Sequence, residues 1–160
     1  MGVSTLDYNS TAAIYNSTGL LFKLYGDHLG SIPVALSGNS PQPAPKYPIA
    51  GDQPKTNPGS PTYPLDMFAA LTADRKYLTI AVVNATESEQ KFDLNVTGAR
   101  LGGPWTLWQM TGSSLDAANH VGQAPQVEAR EVSIGDAQRT ISVAPISINI
   151  YRFPMAEASQ

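Results

Sequence analysis

Leu20, Leu21, Leu24, Tyr25, His28 and Leu29 recur at three- and four-residue intervals, the spacing that gathers side chains on one face of an α-helix. The pattern predicts a helix over about 18–29, with Ser17 or Thr18 capping its start and Gly30 with Pro33 closing its end. Gly26 weakens its interior by about 1 kcal/mol. An apolar stripe must bury against something, so these six residues are candidates for a domain interface.

Beyond residue 64 the period shortens from about 3.6 to 2, and the chain reads as short strands separated by turn signals. Leu65 to Leu71 and Lys76 to Val83 form a hairpin across Thr72, Ala73, Asp74 and Arg75. Phe92, Leu94 and Val96 alternate with polar residues, as a half-buried strand does. A strand runs from Trp105 to Met110, and Val127 to Ile134 is a weaker candidate. Ile141 and Val143 lead to the clearest alternation, in which Ile146, Ile148 and Ile150 face one way and Ser147, Asn149 and Tyr151 the other. The fold expected is mainly β: an antiparallel β-sandwich, jelly-roll-like, preceded by one α-helix and a long Pro-rich loop.

That loop is marked by composition. Nine of the thirteen prolines fall between Pro33 and Pro64, which excludes helix and central strand there. Tyr47 and Tyr63 favour a packed wrap. The organisation expected is a helix-bearing segment at 1–32, a linker or wrap at 33–64, a sandwich at 65–155 and a tail at 156–160.

Charge and composition narrow the function. Charged residues make up 14% of the chain, the net charge is −3, and the ten Lys and Arg form no run able to track phosphates or anionic lipid. Neither nucleic acid nor membrane is an expected partner, and no apolar stretch approaches the roughly 20 residues of a membrane span. No basic-then-apolar leader pattern opens the chain. Without cysteine there is no thiolate metal site or thiol nucleophile.

Candidate chemistry is sparse. The two histidines, His28 and His120, cannot assemble a multi-histidine metal cluster, and no cofactor is expected. His120 could polarise Ser113 or Ser114, but no nucleophile-elbow pattern accompanies it. Glycoside hydrolysis needs two convergent carboxylates. Glu87 and Glu89 read as a solvated hairpin tip, Glu128 and Glu131 as residues on opposite faces of one strand, and Asp66 and Asp93 as solvent-facing. Trp105 and Trp108 differ by an odd number of positions, so they too lie on opposite sheet faces. One can enter the core. The other either packs elsewhere or offers a sugar-stacking platform. Asn9, Asn16, Asn84 and Asn95 begin Asn-x-Ser/Thr sequons.

The runs TGLLFKLYGDHLGSIPV from Thr18, GSPTYPLDMFAALTADRKYLTIAVVNATESEQ from Gly59, SLDAANHVGQAPQVE from Ser114 and VAPISINIYRFP from Val143 carry a further signal. Together they resemble the C-terminal part of bacterial α-L-arabinofuranosidases of glycoside hydrolase family 51, over nearly the whole chain. The resemblance implies a parent enzyme with a catalytic (β/α)8 barrel, whose last helix would be residues 18–29, beside a C-terminal sandwich. It implies retaining hydrolysis by an acid/base glutamate that follows an asparagine and by a nucleophilic glutamate, both upstream of the matched region. No Asn-Glu dipeptide occurs here, so no catalytic residue carries over. The expectation is a non-catalytic domain that braces a missing barrel. Alternatives are an autonomous carbohydrate-binding module for arabinose-containing polysaccharide, using Trp105 or Trp108, and a self-associating structural domain.

Overall fold

The computed structural model describes residues 4–40, 47–48, 56–57, 60–134 and 140–156, with backbone only at 47–48 and 56–57. A hairpin of β1 (Leu6–Tyr8) and β2 (Ala13–Tyr15) precedes α1 (Ser17–His28). The short strands β3 (Ile32–Pro33), β4 (Tyr47–Pro48) and β5 (Thr56–Asn57) follow. Then come β6 (Leu65–Leu71), β7 (Tyr77–Asn84), β8 (Gln90–Asp93), β9 (Trp105–Gly112), β10 (Val127–Ile134), β11 (Thr140–Val143) and β12 (Ser147–Pro154). One antiparallel sheet has the order β10-β9-β12-β7-β6-β3, and β8 pairs with β11 separately. The expected antiparallel sandwich with one helix is present.

Alternation along the strands assigns the two faces of the large sheet. Leu65, Leu78, Ile80, Val82, Trp105, Leu107, Tyr151 and Phe153 point inward and pack with Ile141 and Val143 of the small sheet. Tyr151 and Phe153 are 1% and 0% exposed, and Trp105 meets Phe153 edge-on at 4.4 Å. On the opposite face Ala81, Met110 and Ile150 pack under Leu24 of α1, with Leu20, Leu21, Tyr25 and Leu29 around them. Central strand β12 is therefore buried on both sides. Its isoleucines Ile148 and Ile150 meet the helix, whereas the mixed set of Ser147, Asn149 and Tyr151 faces the sandwich interior. Asn149 lies there at 0% exposure because its amide is satisfied by Val82 O, Ser147 Oγ and Gln109 Nε2.

Several boundaries differ from the sequence reading, each for a local reason. Asn16, rather than Ser17 or Thr18, caps α1: its Oδ1 accepts from Gly19 N at 2.9 Å while its Nδ2 donates to Ser4 O at 2.8 Å. Ser17 is already helical and reaches Ala117 O. The β6–β7 turn extends to Lys76, closed by Asp74 Oδ1, which accepts from Thr72 Oγ1 and Lys76 N. Strand β8 ends at Asp93, although Leu94 and Val96 stay packed on the core. Ile146 adopts a positive φ of 44° and precedes β12 instead of joining it.

The start of the Pro-rich stretch is an edge strand. Ile32 and Pro33 pair with Leu71 and Ala70, a place where a missing N–H is tolerated. Tyr63 is half-buried, whereas the side chain of Tyr47 and most of the Pro-rich stretch lie outside the described residues.

Gly30 makes the joint between helix and sheet possible. Its N–H donates to Thr79 Oγ1 at 2.8 Å, and a Cβ there would sit 2.4 Å from Leu71 O and 2.9 Å from Thr79 Oγ1. Gly30→Ala is expected to cost about 2 kcal/mol through this clash, lowering Tm by roughly 5 °C. Thermal melting followed by circular dichroism tests it, and an unchanged midpoint would show that the joint is loose.

Candidate functional site

Side chains of mixed chemistry gather on the helix-side face, just beyond the C-terminal end of α1. Strand register sets them out in rows. One row runs Ala81, Ile150, Trp108, Glu131, and the next Thr79, Arg152, Thr106, Ser133. The His28 ring stacks on Trp108 with centroids 4.1 Å apart and planes 8° apart. The indole Nε1–H donates to Glu131 Oε2 at 3.0 Å. The Arg152 guanidinium lies over Tyr77, 3.8 Å from the ring centroid, and 6.0 Å from that of Trp108. Arg152 Nε is buried without a hydrogen-bond partner.

A second feature is a cleft of about 1090 Å³ between the two sheets, of mixed polar and apolar lining, with Met67, Ala69, Leu78 and Ile80 on one side and Phe92, Leu94 and Val96 on the other. Lys91, Asp93 and Asn95 border it. Among the described residues it holds no acid pair and no histidine.

The residues singled out from sequence fall as follows. Trp105 and Trp108 do take opposite faces, but Trp105 is 3% exposed in the core and Trp108 is covered by His28 on one side. Neither offers a bare stacking platform. Leu20, Leu21, Leu24, Tyr25 and Leu29 of the proposed interface stripe pack onto the sheet of this same chain, and His28 completes the stripe on Trp108. Burial raises the Tyr25 phenol pKa.

Glu128 and Glu131 point to opposite faces, pairing with Thr111 and Trp108. Asp66 and Asp93 are exposed, and Glu89 is paired with exposed Lys91 at 3.4 Å. His120 Nδ1 sits 3.8 Å from Asp7 Oδ2, not against Ser113 or Ser114. Among the described residues no group of three or more acids or histidines could hold a metal ion, and no helix is long and apolar enough to cross a membrane. Sequence reasoning passed over Tyr77, Thr106, Ser133 and Arg152. Alternation in β12 was the available signal, since it puts Arg152 on the side of Ile148 and Ile150.

Desolvation against the sheet lowers the His28 pKa below 6.5; Arg152 and Lys23 add to the shift, and Asp27 and Glu131 oppose it. Between the folded and unfolded values the unfolded chain holds more protons. Stability therefore falls as pH drops through about 6.5 and levels off below the folded value. In His28→Gln this component disappears, so the Tm difference between about pH 7.5 and pH 5 shrinks relative to wild type. An identical difference would remove His28 from the acid response.

No protein-family model matches the sequence, and no curated protein does. Solved structures do. The thermostable GH51 α-L-arabinofuranosidase from Thermotoga petrophila RKU-1 superposes with a TM-score of 0.70 at 23% identity, over 92% of this chain and 31% of that one. The α-L-arabinofuranosidase from Thermotoga maritima, in its arabinose complex, gives the same TM-score, identity and coverage. The GH51 arabinofuranosidase from Xanthomonas axonopodis pv. citri matches at TM-score 0.59 and 16% identity, over 93% of this chain and 28% of that one. The chain thus spans about a third of the length of these enzymes, and over that third it shares the fold of the family 51 α-L-arabinofuranosidases.

Proposed function

We propose that this chain is the non-catalytic C-terminal sandwich portion of an α-L-arabinofuranosidase-like glycoside hydrolase and that it braces a (β/α)8 barrel whose reaction is the release of terminal α-L-arabinofuranosyl groups. The observation that carries the reading is the distribution of exposed apolar groups. Of the six large apolar residues exposed among the described ones, Leu6, Tyr8, Tyr15 and Phe22, at 41%, 75%, 49% and 64%, fall within the first thirty residues, while Phe68 and Leu115 lie elsewhere. Leu6 pairs with Tyr15 across the hairpin, and Tyr15 lies against Gly19, one turn before Phe22. The outer surface of hairpin and helix is thus an apolar patch left exposed by the described residues. The α1 stripe turns inward, so a barrel would meet the outer face of the helix, not the leucines.

The domain division at 1–32, 33–64, 65–155 and 156–160 fits this role if the first segment is shared between barrel and sandwich. A carbohydrate-binding module built on Trp105 or Trp108 has less support, given how both rings are covered.

The purified chain is expected to give no turnover of an aryl α-L-arabinofuranoside above a buffer blank; measurable turnover would overturn the non-catalytic assignment. The double variant Tyr15→Ser, Phe22→Ser is expected to bind less of a hydrophobic-surface dye while its stability, read from thermal melting, changes by less than about 1 kcal/mol. A large loss of Tm would mean that these rings are internal supports and not a docking face. Light scattering separates the remaining reading: a wild-type dimer that the double variant converts to monomer assigns the patch to self-association.

A further inference from the structure

We infer that the strip of sheet beyond the C-terminal end of α1 is a binding site for a sugar acid, with Arg152 taking the carboxylate. This goes beyond the bracing role and does not depend on it. Arg152 has no ion pair and no hydrogen bond among the described residues, and its Nε is buried without an acceptor. The guanidinium lies over Tyr77, 3.8 Å from the ring centroid, and with Nε enclosed its terminal Nη edge is the one left for a bidentate partner. The acid on the neighbouring row, Glu131, is engaged with the Trp108 indole and is not within ion-pair distance of Arg152.

The surroundings suit a polyhydroxylated ring. Thr106 lies directly opposite Arg152 in the register and Ser133 opposite Thr106, and neither hydroxyl has a side-chain partner among the described residues. They supply donors and acceptors beside the cation, while the ring edges of Tyr77 and Trp108, whose stacked faces are taken by Arg152 and His28, supply apolar contact. A peptide carboxylate fits less well. Strand β12 is paired on both edges, with β7 and β9, so no free main-chain row is available there to hold an extended chain. Recognition has to come from side chains alone, as for a compact cyclic acid.

The test uses the full chain and three soluble probes: D-galacturonate, its neutral methyl ester, and acetate. Binding is read from the indole N–H resonance of Trp108, assigned with Trp108→Phe. Galacturonate is expected to bind in roughly the millimolar range, about tenfold more tightly than the ester or acetate. Arg152→Lys should lose about tenfold because an ammonium cannot reproduce the bidentate fork, and Thr106→Val should lose severalfold with an unchanged melt.

Equal binding of acid and ester would overturn the carboxylate role. Acetate binding as well as galacturonate would overturn the sugar assignment. No shift of the Trp108 resonance with any probe would overturn the site. The wild-type comparison of acid with ester decides the matter even if an Arg152 variant fails to fold.

Discussion

The structure depends on covering both faces of one six-stranded sheet with unequal resources. The interior face has the β8–β11 pair and the loops around it; among the described residues the other face has a single helix of twelve residues. At a rise of about 1.5 Å per residue such a helix is roughly 18 Å long, and strands lie about 4.8 Å apart. It can shield three or four strands, and it is placed over β9, β10 and β12. Burying a leucine is worth about 1.5–3 kcal/mol, so Leu24 and its neighbours make the helix a large part of the stability of the β12 environment. What the helix does not reach stays partly open, including Phe68 on β6, 44% exposed, and Arg152, Thr106 and Ser133 beyond the helix end.

This constraint governs what could be read from the sequence and what could not. The helix was legible because a winding of 3.6 residues per turn is what brings leucines spaced by three and four onto one face. The strands were legible from period 2. Periodicity gives relative facing but not which side is the core: in β12 both sides are buried, and a polar residue such as Asn149 is acceptable inside only because main-chain and amide partners meet it. The partner of the leucine stripe was illegible for a related reason. A stripe states that it must be covered, and tertiary pairing decides by what. The Asn16 cap was missed because Asn, Ser and Thr in succession are all competent caps, and the tie to Ser4 that selects among them is not local.

The site shows the same division. Trp105 and Trp108 on opposite faces followed from parity alone. That His28 would stack on Trp108 did not, because eighty residues separate them and only the helix packing brings the rings together. Arg152 was overlooked because an arginine near a strand end reads as solvated. Its distinguishing property, a buried Nε without an acceptor, exists only once Tyr77 and Trp108 are placed around it.

The packing also bears on where this fold can be divided. A boundary drawn at residue 32 separates a helix from a sandwich on grounds of composition. Yet the helix contributes Leu24, at 4% exposure, to a cluster with Met110 and Ile150, and Gly30 anchors its exit to Thr79 on β7. Removing residues 1–32 would expose the helix-side isoleucines of a central strand, while retaining them leaves Tyr15 and Phe22 exposed instead. The helix therefore belongs to the sandwich by its inner stripe, and its outer face is free for a neighbour. An element with two such faces transmits position: a neighbour docked on Phe22 is held relative to β9 and β12 through a single layer of leucines, without contacting either strand.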